Sequence, residues 1–359
     1  MTATERLLLL GAAPTRRERH PLSEYRKHHY VPVFYQKHFA NASGLLWVYD
    51  RHRKVYQELA PKVVCSQKDL YTLKPDKAPK DQRIESLALG IADAECASAL
   101  KELVTGKMPP DLSTSETIAY FAGLQFSRLP SSGRYISDVY KKAVEEMMRL
   151  TAVSVDRMKS VLDQYSEETG DTVNVSPESM VEAVRGNHLE VVVSERPFLE
   201  HIFEHADFLS KWYLRMSWDI LAAPAETGFI LCDDPFVIVP PRGGKDIGIA
   251  VPGAVKYFPL ARQFCLRLGD IGGTLRYRKV DRETVGIINQ NIAANSERFI
   301  MSPVKKQLER VVTDSASADM DPLPRFTHKA VNHDDHGSLQ MLTRNPRRYF
   351  YMGSASEAP

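Results

Sequence analysis

The chain is poor in cysteine, nearly neutral overall and without a long apolar run. Its 359 residues contain four cysteines, Cys65, Cys96, Cys232 and Cys265. No two stand at C-x-x-C spacing, which argues against a thiolate zinc site and a disulfide framework and fits a reducing cytoplasm. The formal net charge of +2 is too small to attract nucleic acid through the global field, so an anionic partner such as nucleic acid would need a local basic patch. No run approaches the roughly 20 apolar residues of a bilayer span, and no membrane association is expected. The start, with Leu7 to Leu10 following a mixed polar stretch, lacks a secretory pattern, so a cytoplasmic location is expected. Glycine signatures are missing as well. Without G-x-x-x-x-G-K-[ST], G-x-G-x-x-G or G-x-S-x-G, no nucleotide cofactor and no hydrolase elbow is expected.

What is present suits one sizeable globular domain. Residues 1–24 read as a poorly ordered lead-in, 25–310 as a single α+β domain and 311–359 as a largely irregular tail. Within the domain, 80–215 reads as helical and 227–305 as strand-rich. Two short strands, Leu45 to Asp50 and Lys54 to Leu59, read as an N-terminal β-hairpin. Ser113-Thr114-Ser115-Glu116 reads as a capping box, and Pro130 should stop the helix that follows near Arg128. A helix or helix pair is expected from about Arg134 to Glu168, broken at Gly170, with Ser176-Pro177 opening another. Because helices and strands are segregated, the class is α+β, a helical part packed on a mostly antiparallel sheet.

Several polar residues stand where apolar ones are expected. Ile118, Phe121, Gln125 and Arg128 follow at helical spacing, so a polar pair continues an apolar stripe. An inward arginine needs an anion, either a carboxylate of the chain itself or a phosphate-like ligand. Glu85 lies between Ile84 and the apolar Leu87-Ala88-Leu89 run, whereas Glu95, beside Asp93, reads as a solvated face. Cys232-Asp233-Asp234-Pro235 interrupts two apolar strand segments. It reads equally as a tight turn or as a metal-holding carboxylate pair. His28-His29 precedes Tyr30-Val31-Pro32, and on a strand only one of the two histidines can face a given site.

Weaker patterns are also present. His201-Ile202-Phe203-Glu204-His205 has the form H-x-x-E-H, but the helix otherwise reads as a core-packing one. His29, Asn41 and His52 follow the order of an H-N-H nuclease without its helix. Asn289, Asn291 and Asn295 read as capping and polar bonding between helices.

These residues occur in an order that resembles the domain-of-unknown-function 4238 family, bacterial proteins with a K-H-H-Y-V-P-x-F-Y-x-x-x-F start. Here Lys27 to Phe39 reads KHHYVPVFYQKHF. Glu85 matches the family's helical Glu. Gln125, Arg128 and Pro130 match a Q-x-x-R-x-P ending. Phe229 to Pro235 resembles F-I-T-S-D-N-P, with Asp233 at the Asp position. Cys232 and Asp234 depart from that segment's Ser and Asn, so the second position's ligand role is not carried over. The resemblance spans roughly 25–305 and implies no reaction. The resulting expectation is that His28 or His29, Glu85, Gln125, Arg128 and Asp233 converge in one cleft. His29, Glu85 and Asp233 would hold a divalent metal ion, Mg2+ or Mn2+ rather than Zn2+, for nuclease-like phosphodiester hydrolysis in bacterial conflict or defence. The alternative expectation is a non-catalytic binding or regulatory module, in which the same residues form a structural polar network.

Overall fold

The computed structural model describes residues 27–73, 81, 84–105, 110–244, 247–314, 326–333, 337–344 and 349–352, with side chains at all of these except 85–87 and 326–344. The expected lead-in therefore lies outside the described residues. The first elements are β1 (Lys27–His29), α1 (Val33–Lys37), the hairpin strands β2 (Leu46–Asp50) and β3 (Val55–Leu59), and β4 (Ser66–Lys68). Helices follow: α2 (Gly90–Val104), α3 (Leu112–Ser127), α4 (Pro130–Thr151), α5 (Val155–Thr169), α6 (Pro177–Arg185) and α7 (Arg196–Arg215). The strand-rich part comprises β5 (Met216–Ala222), β6 (Leu231–Cys232), β7 (Val237–Val239), β8 (Val255–Ala261), β9 (Phe264–Ile271) and β10 (Leu275–Lys279). Then come α8 (Arg282–Asn295), β11 (Phe299–Ser302), α9 (Lys305–Asp314), β12 (Phe326–His333) and β13 (Gly337–Arg344). The chain is α+β, and among the described residues every strand pairing is antiparallel except β10 with β5.

Two compact units separate along the chain. Gly133–Phe198 forms the smaller. Its core is Ala152, Met158 and Val181, with Met148 and Leu162 against them. The expected helix pair is realised as α4 and α5. Ser154 caps α5 by accepting from the Arg157 N–H at 3.2 Å, and Gly170 closes it at φ 71°. That left-handed conformation suits glycine, which has no Cβ to clash. Ser176 and Pro177 open α6 as expected.

The two larger sheets of the larger unit are ordered β10-β5-β9-β8-β7 and β3-β2-β11-β6, and β1-β4 and β12-β13 form two-stranded pairs. The hairpin pairs Leu46 with Leu59 through to Asp50 with Val55. β5 was not legible. Its apolar run continues directly from an amphipathic helix, and period alone does not separate a short buried strand from a helical end. An aromatic cluster ties α1, α3 and β8 together. Phe121 lies 5.0 Å from Tyr35 and 5.5 Å from Phe258, and the Tyr35 hydroxyl donates to the Pro259 carbonyl.

Two helix boundaries moved for local reasons. The α3 cap is Asp111, whose Oδ1 accepts from the Thr114 N–H at 2.7 Å, instead of Ser113. An aspartate both accepts the amide and complements the positive helix N-terminus. Pro130 follows the end of α3 but also opens α4, since a missing N–H costs nothing in a first turn.

In the segment expected to be an irregular tail, β12 and β13 pair as a hairpin. Further on, the Asn291 side chain exchanges two hydrogen bonds with the Phe350 backbone, at 2.8 and 3.0 Å. The Arg242 guanidinium covers the Tyr351 ring at 5.5 Å. Asn291→Ala is therefore expected to release residues 349–352, seen as faster limited proteolysis there. An unchanged cleavage rate would show that the clip does not hold the segment.

Candidate functional site

Strand β1 pairs with β4, setting His28 opposite Gln67. Alternation along the strand buries His28 completely and leaves His29 half-exposed. The His28 Nδ1 accepts the Tyr71 N–H at 2.9 Å, and the two rings stack with centroids 5.6 Å apart. The His29 Nε2 lies 3.0 Å from the Lys62 carbonyl. Burial lowers the pKa of His29, and the neighbouring Arg128 charge acts in the same direction.

Arg128, at the C-terminus of α3, is 1% exposed. Its Nη1 donates to Asp93 Oδ1 at 2.7 Å and its Nη2 to the His29 carbonyl at 2.9 Å. The Tyr71 hydroxyl donates to the Arg128 carbonyl at 2.7 Å, and the Arg128 guanidinium lies over the Tyr71 ring. One turn earlier, Gln125 Nε2 donates to the Tyr30 carbonyl at 3.1 Å. Gln36 Nε2 donates to the Val31 carbonyl at 2.8 Å. Three successive carbonyls, His29, Tyr30 and Val31, are thus each met by a buried side-chain donor. The Tyr30 N–H donates to the Cys65 carbonyl at 3.0 Å. The network is not saturated, since Gln125 Oε1 and Gln36 Oε1 are buried without a hydrogen-bond partner among the described residues.

Asp93 is the residue that sequence reasoning passed over. Burial raises its pKa, against the pull of Arg128. Its signal was present: Asp93, Cys96, Leu100 and Leu103 repeat at helical spacing on the inward face of α2. Glu95 is exposed, as expected of a solvated face.

Asp233 is held differently. It leaves β6 and accepts the N–H groups of Glu297, Arg298 and Phe299 at 2.9, 2.7 and 3.0 Å. Burial, then the Glu297 charge, pushes its carboxyl up to about 7 against the pull of these amides. Its bonding partners are all backbone, so it shares no hydrogen bond or ion pair with His28, His29 or Arg128. Its link to the first cluster is electrostatic, through the buried Tyr30, whose phenol is raised first by burial and further by Cys65 and Asp233. Four of the six expected residues, His28, His29, Gln125 and Arg128, are therefore gathered around one backbone segment. Asp233 anchors the junction of α8 and β11. Glu85 lies on the π-helical turn Ile84–Leu89, and its side chain is outside the described residues.

Among the described residues, no three His, Cys, Asp or Glu side chains are grouped so that they could share a metal ion. The His201 and His205 rings stack at 4.5 Å, and His205 Nδ1 lies 3.1 Å from Ser127 Oγ. Asn41 serves a turn, its Oδ1 accepting the Ser43 and Leu45 N–H groups at 3.0 Å, and His52 sits in the β2–β3 turn. Asn289 accepts from Ile230 at 3.0 Å and donates to Gly228 at 2.9 Å, bonding to backbone ahead of β6 rather than to another helix.

Asp219, 2% exposed on β5, meets Arg267 at 2.8 Å, Arg276 at 3.1 Å and Arg278 at 3.4 Å. Three guanidinium groups thus share one buried carboxylate. Among the described residues, no helix is long and apolar enough to cross a membrane.

The family model described as Protein of unknown function (DUF4238) matches residues 27–306. The match covers most of the chain, which belongs to this family. No match was found among curated proteins or among solved structures.

Proposed function

We propose that this family member is a non-catalytic binding module in which the His28–Val31 network is structural. The observation that supports this reading is the destination of the polar groups. Arg128, Gln125 and Gln36 spend their donors on the successive carbonyls of His29, Tyr30 and Val31. A side chain committed to buried backbone holds a fold together, and is not free to hold a substrate phosphate. On this reading the four buried cysteines stay reduced thiols in the cytoplasm.

The partner we propose is nucleic acid. Support comes from the Arg267, Arg276 and Arg278 side chains around Asp219, at 33%, 52% and 52% exposure. Arginines presented this way on a sheet suit phosphate oxygens, through a contact that is independent of base sequence.

One assay tests both this reading and the hydrolase alternative. Fluorescein-labelled single- and double-stranded DNA and RNA are incubated with the full chain at low salt, with and without Mg2+ or Mn2+. Anisotropy reports binding, and gels report cleavage. The expected result is salt-sensitive binding, weakened by Arg276→Ala with Arg278→Ala, and no metal-dependent cleavage. Cleavage abolished by His29→Ala and by Asp233→Ala would establish the metal-dependent phosphodiester hydrolase instead. Absence of binding to all four polymers would reject nucleic acid as the partner.

A further inference from the structure

A pocket of about 760 Å³ opens in the larger unit between the β8–β9 turn, α8 and α9. Its size is within the range of small-molecule sites. It is separate from the His28–Val31 network and from the three arginines around Asp219, and inference from it does not rest on the proposed function. Four cations line it, Arg262, Arg282, Lys306 and Arg310, against two carboxylates, Glu226 and Glu283. Arg282 is already paired with Glu226 at 2.7 Å.

Arg262 differs from the other cations. Its backbone is engaged, donating to the His38 carbonyl at 3.2 Å and accepting from the Phe229 N–H at 2.7 Å. Its side chain is half-buried, and its Nε is fully buried without a hydrogen-bond partner among the described residues. Removing a guanidinium N–H from water without a partner is costly unless an anion meets it. Gly228 makes this placement possible. A Cβ there would stand 2.6 Å from Arg262 Cγ and 2.8 Å from the Arg262 carbonyl oxygen. The arginine stem thus lies against bare backbone.

Gly286, on α8, is a second lining residue. A glycine inside a helix is unfavourable relative to alanine. Nothing in its surroundings demands one, because its φ is not in the left-handed range and a Cβ would meet no atom within 4 Å. What the missing side chain does is keep the pocket wall open. The remaining wall includes apolar Val285, Val304 and Val311.

We infer that this pocket is a binding site for a small amphipathic anion, its carboxylate or phosphate group paired with Arg262 and its apolar body against the valines. Arg262 sets charge selectivity, and Gly286 sets the room available.

The test is calorimetric titration of the full chain with phenyl phosphate and with benzoate, with benzylamine as the cationic control. Saturable 1:1 binding of at least one anion is expected, with no binding of benzylamine. Arg262→Gln should weaken that binding at least tenfold. Gly286→Leu should abolish it while leaving the melting temperature at or above that of the wild type, which separates a filled pocket from a damaged fold. The inference is overturned if neither anion binds saturably, if benzylamine binds as well as the anions, or if Arg262→Gln or a well-folded Gly286→Leu binds like the wild type. The two anions together distinguish a phosphate site from a carboxylate site.

Discussion

Arg128→Ala is expected to lower the free energy of unfolding of the larger unit by about 3–5 kcal/mol, as removal of one partner from a buried ion pair does. The loss has three parts. Asp93 keeps a largely buried carboxylate without its 2.7 Å guanidinium partner. The His29 carbonyl loses its donor, and the Tyr71 ring loses the cation above it. Urea denaturation measures the change. The double variant Arg128→Met with Asp93→Leu should recover part of it, because replacing both charges by apolar groups removes the uncompensated carboxylate. A loss under about 1 kcal/mol for Arg128→Ala would mean that the pair is solvated like a surface salt bridge. The clasp would then not be what fixes the His28–Val31 segment.

Asp233→Ala is expected to cost about 3 kcal/mol or more, because three amides lose one shared acceptor and each buried unsatisfied group costs roughly 1–3 kcal/mol. The wild-type group should also leave a signature in pH. Its carboxyl is raised from the ordinary 3.8 to about 7. Between these values the folded chain retains a proton that the unfolded chain has released, so the unfolded state binds fewer protons. Stability from this group is therefore full below about pH 4 and falls as pH rises through about 7, where it levels. Asp233→Asn cannot titrate and should flatten that slope in denaturant midpoints measured from pH 4 to 8. A slope unchanged in Asp233→Asn would assign the pH dependence to another group.

Much of this molecule was legible in its sequence, and the reason is local. Turn and cap chemistry acts within a few residues, so the β2–β3 hairpin, the α5–Gly170 stop and the Ser176-Pro177 start could be read directly. The inward direction of Gln125 and Arg128 was equally local, because helical period alone places them on the Ile118–Phe121 stripe. The order of Lys27 to Phe39, Gln125, Arg128 and Asp233 was enough to identify the family, and the segregation of helices from strands was enough to give the α+β class.

What Arg128 and Gln125 point at was not local. Arg128 had two possible anions in the sequence reading, a ligand phosphate or an internal carboxylate. The tertiary structure supplies Asp93, 35 residues away, and the backbone carbonyl of His29, 99 residues away. Backbone carbonyls are the same at every residue, so no pattern of side chains marks which ones a buried donor will find. The same holds for Asp233, whose carboxylate looked suited to a metal ion and meets three amides more than 60 residues on. Arg262 and Gly286 carried no signal at all in the sequence. They became informative only when folding left one with a buried N–H unpartnered among the described residues and the other beside open space, properties that belong to surroundings and not to residue type.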